Sequence, residues 1–282
     1  MALTSSHEML YKAMEKKYAV GAFNAENLEM CQAIVAAAEK ANSPVMIQTT
    51  PGTLKHADAN IFRAMVQAIS QSAQIPVALH LDHGVSLSSV MTAIRAGYTS
   101  IMIDGSKLPL EENISLTEWV VAACNACKIP VEGELGRVGG KEDETESSIS
   151  GYTDPKEAVR FVGETGVSFL AVGVGTAHGV YSVPPALNIP LIHTLRELLP
   201  VPLVLHGGSG LEDDVVRQCI QAGIAKVNFA TELRKAFTDA VRKKLVLEPG
   251  LIDPKSFCAA GREAVYELTL KKIELCGSAG KA

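Results

Sequence analysis

Three histidines, His83, His178 and His206, stand out because each falls at or just after the end of a short apolar run. Neutral imidazoles carried on separate strand ends can converge on one cation, and three of them with an open coordination position make a common catalytic zinc arrangement. No H-x-x-H-type spacing ties them together, so spacing alone leaves core or solvated histidines as the competing reading, and imidazole suits several divalent metals. Carboxylates accompany them: Asp82 directly precedes His83, and Asp104 and Glu134 close two further runs. His80 alternates with Asp82 and so shares its face of the strand, as a core residue or as support for a site. His7, His56 and His193 lie in helical or loop contexts and are assigned no role.

Two late segments have the composition of a phosphate cradle. One reads HGGSG (206–210); the other reads NFAT (228–231) and opens a helical pattern. Glycines let backbone N–H groups approach oxygens, and a helix start favours an anion. A plain turn is the alternative.

These residues need a scaffold that gathers them. Eight apolar runs (19–24, 44–49, 76–82, 100–104, 130–134, 169–175, 202–206 and 225–230) alternate with amphipathic segments (28–41, 61–72, 87–96, 114–127, 155–165, 192–199 and 212–222). Near-continuous apolar runs fit strands buried on both faces, and parallel neighbours need long crossovers. Eight such units predict a closed (β/α)8 TIM barrel, an α/β fold, with an open doubly wound sheet as the alternative. Two extra C-terminal helices are expected over 232–244 and 254–275, and no linker divides residues 1–282, which read as a single domain. The polar residues collect at the carboxyl ends of the runs: Asn24, Thr49, Thr50, Asp82, Asp104, Ser106, Glu134, Ser209, Asn228 and Thr231 join the histidines there. Barrel enzymes keep their sites at that end, often with phosphate after strands seven and eight. The polar stretch GGKEDETESSISG (139–151) leaves the same face, as a solvated loop or a closing lid.

Composition narrows the partners. The net charge is −5, with no basic block of the kind a nucleic-acid partner would require. No apolar run reaches the roughly 18 residues of a membrane span, and the polar N-terminus reads as a helix start rather than a signal peptide. A cytoplasmic protein is expected, with its six cysteines as free thiols; the C-x-x-C at Cys124 and Cys127 sits within an apolar helical stretch.

The segments HLDHG (80–84), SIMIDGS (100–106), VEGELGRVGGKED (131–143), GVGTAHGVY (173–181), LVLHGGSGL (203–211) and KVNFATEL (226–233) together resemble the class II, zinc-dependent ketose-bisphosphate aldolases, and the likeness runs in order from AFN (22–24) to the end of the chain. The resemblance implies one zinc held by His83, His178 and His206, with Asp104 and Glu134 as acidic residues near the metal that sometimes hold a second cation. It implies Asp82 as the acid/base at the C4 oxygen and Glu142 as the base acting on the three-carbon ketone. Asn24, Thr50, Gly179, Gly207, Gly208, Ser209, Asn228, Ala230 and Thr231 match positions around dihydroxyacetone phosphate and its phosphate group. Members of the family often need a monovalent cation, Na+ or K+, beside that phosphate. They are homodimers or homotetramers, and tagatose enzymes also work with a separate non-catalytic partner subunit.

The chemistry accounts for those residue types. Breaking C3–C4 leaves a carbanion beside a carbonyl, which a Lewis acid stabilises. One group must take the C4 hydroxyl proton and another must return a proton to C3. A lysine Schiff base is the other way to hold such a carbanion. Lys226 lies near the start of its run, at the wrong end for that, and Lys107 and Lys141 lie in loops. TTPGT (49–53), GTAHG (175–179) and NFATEL (228–233) look more like the tagatose-1,6-bisphosphate branch, where fructose enzymes commonly carry Asp or Asn at position 230. Gly84 and Gly133 point away from it. Fructose 1,6-bisphosphate, another phosphorylated ketose, and a non-catalytic companion role are the alternatives.

Overall fold

The structure is a computed structural model that describes residues 3–142, 145–147, 151–179, 181 and 185–282, with the side chains of 141, 142 and 145–147 outside the description. The chain opens with helix α1 (Ser6–Lys16). Strands and helices then alternate: β1 (Val20–Asn24), α2 (Leu28–Ala41), β2 (Val45–Thr49), α3 (Pro51–His56), α4 (Ala59–Ser70), β3 (Val77–Gly84), α5 (Leu87–Ala96), β4 (Ser100–Ile103), α6 (Leu110–Ala126) and β5 (Val131–Leu135). A hairpin, β6 (Gly139–Glu142) and β7 (Thr145–Ser147), precedes α7 (Pro155–Thr165), β8 (Phe169–Val172) and the short β9 (Ala177–His178). The chain ends with α8 (Ile189–Leu198), β10 (Leu203–Leu205), α9 (Asp213–Ala222), β11 (Ile224–Phe229), α10 (Thr231–Leu247) and α11 (Pro254–Cys276).

Eight parallel strands close into a barrel in the order β1-β11-β10-β8-β5-β4-β3-β2, and these are the eight runs expected from the sequence. Full closure excludes the open-sheet alternative. Helix boundaries follow local chemistry. Asn27 caps α2 by accepting from the Met30 N–H, Asp154 caps α7, and Gly97 and Gly166 end α5 and α7 in the left-handed region. Helix α3 is absent from the sequence-based expectation; it forms because proline is tolerated at a first helical position, where its missing N–H has no partner to lose. The eight strands and their helices enclose a shell of buried apolar side chains that includes Phe62, Phe161, Phe23 and Phe229. Inside the barrel, Ala22, Met46, Ala78, Phe169, Ala171 and Val204 pack on Met9 and Leu10 of α1, which plugs the amino-terminal end. No described helix is long and apolar enough to cross a membrane. The six cysteines are unbridged; Cys124 is buried and Cys127 exposed.

One irregularity positions the site. In a regular strand Asp82 and His83 would face opposite sides. Here β3 runs on to Gly84, and its register with β4 shifts from Leu81↔Ile101 to Gly84↔Ile103, so Asp82 and His83 together oppose Met102. That is a β-bulge, and His83 adopts φ 50°, a left-handed conformation unusual for a side chain of its size. Gly84 makes the return possible, because a Cβ there would lie 2.6 Å from the Met102 carbonyl oxygen. Gly84→Ala is therefore expected to destabilise the chain by about 1–3 kcal/mol. Urea denaturation measures this, and a midpoint equal to wild type would show that the bulge does not depend on the close approach.

Candidate metal centre and phosphate pocket

Period-two alternation sorts the inward-facing polar residues into two tiers. The upper tier holds Asn24, Gln48, Asp82, Glu134, His206 and Asn228, at or just beyond the carboxyl ends of β1, β2, β3, β5, β10 and β11, with His83 and Asp104 beside them. Two residues lower on the same strands lie His80, Glu132 and Lys226, each fully buried.

The three histidines singled out from the sequence meet. The ring centroids of His83 and His178 are 5.1 Å apart, those of His83 and His206 4.7 Å, and those of His178 and His206 5.9 Å. One ring nitrogen from each lies within 4.8 Å of the others. At Zn–N bond lengths of about 2.0–2.1 Å, small side-chain rotations let such a set share one ion. His83, Asp104 and Glu134 form a second group that satisfies the same distance, so Asp104 and Glu134 stand beside the histidines.

The polar contacts fit a cation. Nε2 of His206 faces Glu132 Oε1 at 2.9 Å, which leaves Nδ1 pointing into the cluster. That Nδ1 lies 3.2 Å from Glu134 Oε2 but off the line of a hydrogen bond, and both atoms are buried without a hydrogen-bond partner. Buried donors and acceptors left unmet cost free energy, and a shared ion would meet both. On the other side, His83 Nδ1 contacts Asp104 Oδ2 at 3.1 Å and stands 3.9 Å from Glu134 Oε2.

The charges are set by these neighbours. Burial works against the Asp104 carboxylate, but His83 and the hydroxyl and N–H of Ser106 outweigh it and hold Asp104 well below the usual carboxylate range. Glu134 is pushed up, first by burial and then by the charge of Asp104. Burial disfavours the His206 imidazolium, but Glu132 and Glu134 prevail and push its pKa up to about 9. Glu132 is held low against its burial by Lys226 and then His206. His80 is pushed well down, by burial first and Lys226 second, and is neutral.

Asp82 is gripped from both sides. The side-chain amide of Asn24 donates to Oδ2 at 2.9 Å, that of Asn228 donates to Oδ1 at 3.2 Å, and Gln48 donates to Asn24 Oδ1 at 2.9 Å. Oδ1 of Asp82 is 4.0 Å from His83 Nε2, so the carboxylate sits beside the cluster. Gln48 is a residue the sequence reading missed. The signal was its alternation with the inward Met46; Thr49, picked out instead, faces the helical shell and shares a hydrogen bond with Tyr98 at 2.8 Å. Thr50 caps α3 through the Thr53 N–H and is buried beside Thr53.

Gly179, Gly207, Ser209, Asn228, Ala230 and Thr231 line one pocket next to His178, and Arg234, also missed, completes it with a positive charge. Gly208 lies behind this wall, its N–H bonded to the Asn228 carbonyl at 3.2 Å. Helix α10 begins here with no side-chain cap on its first N–H groups, an arrangement that favours an anion. Ser209 Oγ accepts from the Ala230 N–H at 3.0 Å, and Glu26 holds Arg234 Nε at 2.7 Å. Tyr181 accepts from the Ala177 N–H at 2.9 Å and donates to the Gly207 carbonyl at 2.8 Å, tying the strand of His178 to the loop after His206.

The segment 139–151, read as a loop or lid, contains the hairpin β6–β7, whose first strand pairs in parallel with β9 through Gly139↔Ala177 and Gly140↔His178. Gly140 adopts φ 87°, and a Cβ there would lie 2.1 Å from the His178 carbonyl oxygen. Glu142 ends β6, and its side chain lies outside the described residues.

A pH test follows from His206. Its folded pKa of about 9 exceeds the ordinary 6.5, so its imidazolium stabilises the metal-free fold fully below 6.5, and that contribution disappears as pH rises through 9. The metal-stripped chain should lose thermal stability over this interval more steeply than His206→Gln, while apparent zinc affinity rises as the competing proton leaves. Parallel stability profiles for the two proteins would contradict the assignment.

Known proteins share this fold. Residues 4–281 match the family model for fructose-bisphosphate aldolase class-II. Among solved structures, the YdjI aldolase from Escherichia coli K12 is 36% identical with a TM-score of 0.88, covering 99% of each chain. A candidate fructose-1,6-bisphosphate aldolase from Coccidioides immitis is 31% identical with a TM-score of 0.88, over 97% of this chain and 96% of that one. A fructose-bisphosphate aldolase from Campylobacter jejuni shares the fold at a TM-score of 0.87 and 23% identity, over 100% of this chain and 97% of that one. The chain belongs to the class II fructose-bisphosphate aldolase family and is a lyase of that type.

Proposed function

We propose that this chain cleaves and forms the C3–C4 bond of a ketose 1,6-bisphosphate, tagatose 1,6-bisphosphate being favoured, to give dihydroxyacetone phosphate and glyceraldehyde 3-phosphate. The observation that carries the proposal is the meeting of His83, His178 and His206 beside the amide-held carboxylate of Asp82, next to a pocket formed by loops and a helix start. His83, His178 and His206 would hold zinc, with Asp104 and Glu134 alongside. When bound, the metal supplies Lewis acidity toward the ketose carbonyl and the charge left on C3.

The chain's own residues do the rest. Asp82 takes the proton from the C4 hydroxyl as the bond breaks, and Asn24 and Asn228 hold its two oxygens in place for that transfer. Glu142, at the end of β6, returns a proton to C3. The N–H groups of Gly179, Gly207 and Ser209, the start of α10 and Arg234 bind the phosphate, with a monovalent cation, Na+ or K+, beside it, and Gly208 supports this wall from behind through its N–H to the Asn228 carbonyl. Asn228 serves both the phosphate side and Asp82, which fixes the distance between the anchored phosphate and the reacting carbons. Thr50 acts from behind this wall, through α3.

The preference for tagatose rests on the resemblance together with Ala230, a pocket-lining position that offers no side-chain hydrogen bond. Gly84, which pointed the other way, has a packing reason in the bulge of β3. The fructose reading draws on the name of the Coccidioides relative at 31% identity. We further propose that residues 1–282 work as one barrel unit in the cytoplasm, as a homodimer or homotetramer. Support for assembly comes from the apolar groups left exposed at the end of α10, with Val246 71% and Leu247 68% accessible. A separate partner subunit is part of the tagatose reading.

Three outcomes test these assignments. Activity should vanish on chelation and return with zinc; full activity after complete metal removal would reject the metal reading. Asp82→Ala should keep zinc while losing roughly 10²–10⁴-fold in kcat, and unchanged turnover would remove Asp82 from the chemistry. A comparison of kcat/KM on the two bisphosphates should favour tagatose; a strong preference for fructose 1,6-bisphosphate would replace it.

A further inference from the structure

The lower tier of polar residues takes no part in the proton transfers above, yet it lies directly beneath the histidines. Lys226 Nζ sits 2.8 Å from Glu132 Oε2, and Glu132 Oε1 accepts from His206 Nε2 at 2.9 Å. All three residues are fully buried. Lys226 is on β11 and Glu132 on β5, with β10 and β8 between them, so the contact spans the lumen rather than a strand pair. Val204 and Ala171, which occupy the intervening strands in register with Lys226, are small enough to let the lysine cross. A third contact comes from His80. Ser6 donates to Ser100 Oγ at 2.7 Å, and Ser100 Oγ is 2.7 Å from His80 Nδ1. With Ser100 donating to Nδ1, the proton of His80 is on Nε2, which faces Glu132 Oε2 at 3.7 Å.

We propose that Lys226 is a positioning residue for the metal centre: it anchors Glu132, and Glu132 in turn holds the proton of His206 on Nε2, so that His206 offers Nδ1 to the cation. The inference rests on the three-histidine metal reading. Its physical content is tautomer selection. An imidazole presents a lone pair on one nitrogen only when the other carries the proton, and a carboxylate behind the ring decides which. A carboxylate buried under a metal site can take that part only if it is itself fixed. Lys226 fixes Oε2 with an ammonium group, His80 Nε2 approaches the same oxygen, and Oε1 is left for His206. The lysine is thereby placed at the foot of the site, where it cannot reach a substrate carbonyl.

The test uses zinc affinity, measured by chelator competition, and the position of the His206 proton, read by NMR of isotope-labelled, zinc-loaded protein. The wild type should show a solvent-protected imidazole N–H on His206 Nε2. Lys226→Met and Glu132→Gln should each lower zinc affinity by about 10–100-fold, with a cooperative thermal transition retained, and the double variant should be no weaker than Glu132→Gln alone. Wild-type affinity in both single variants would overturn the proposal, as would additive losses in the double variant. Removing one member of a buried ion pair is strongly destabilising, so should Lys226→Met fail to fold, the wild-type spectrum decides: a proton on Nδ1, or no protected Nε2–H, overturns it. His83→Ala separates the two levels. Zinc retained at full affinity in that variant rejects the metal reading itself, whereas zinc lost there but held normally by Lys226→Met rejects only the role of Lys226.

Discussion

Four carboxylates and four imidazoles share the interior of one barrel end, and the electrostatic cost of that crowding governs what surrounds them. Asp82, Glu132 and Glu134 are almost wholly buried, where an unpaired charge is strongly disfavoured. Each is met differently. Asp82 is satisfied by the neutral amides of Asn24 and Asn228, which orient it without cancelling its charge. Glu132 is balanced by Lys226 from across the lumen. Glu134, beside Asp104, is left to the histidines and to whatever cation they hold. A divalent ion is the natural complement, because it would take the place of a proton on Nδ1 of His206 and engage Oε2 of Glu134, two buried atoms with no hydrogen-bond partner.

Backbone geometry delivers these groups to one place. The barrel alternates inward and outward residues, so a polar residue at a strand's carboxyl end has a same-face companion two positions earlier. Three strands exploit this, pairing Asp82 with His80, Glu134 with Glu132 and Asn228 with Lys226. The bulge in β3 breaks the alternation once, and in doing so lets the adjacent Asp82 and His83 both serve the site. His178 arrives by another route, on β9, where the pairing with Gly140 of the hairpin and the hydroxyl of Tyr181 fix its backbone. The histidine cluster and the pocket beside it are thus coupled through the same short segments.

Much of this was legible in the residues. Near-continuous apolar runs separated by amphipathic stretches identify parallel strands and their crossovers, and α2, α5 and α7 begin and end where their caps and glycines place them. The histidines were legible because polar residues at the ends of such runs have few structural reasons to be there. What escaped lies across the lumen or depends on a local irregularity. Glu132 reads as part of VEGEL with no sign of which side chain answers it, since Lys226 follows 94 residues later and three strands away. Gln48 was hidden by the more conspicuous pair Thr49 and Thr50. Position 83 could be counted from the sequence, but its left-handed backbone could not. The hairpin β6–β7 is rich in polar residues and glycine, and its strands pair with β9 and with each other rather than with the barrel.

Lysine chemistry and metal chemistry are the two physical routes to holding the charge that C–C cleavage leaves behind. In this chain the buried lysine of the lumen is committed to Glu132, and the open end of the barrel offers imidazoles. X-ray absorption on the zinc-loaded protein tests that account most directly. It predicts a shell of nitrogen or oxygen neighbours at about 2.0–2.1 Å carrying the outer scattering of three imidazole rings, reduced by one ring in His178→Ala. A first shell containing sulfur, or one without multiple imidazoles, would contradict it.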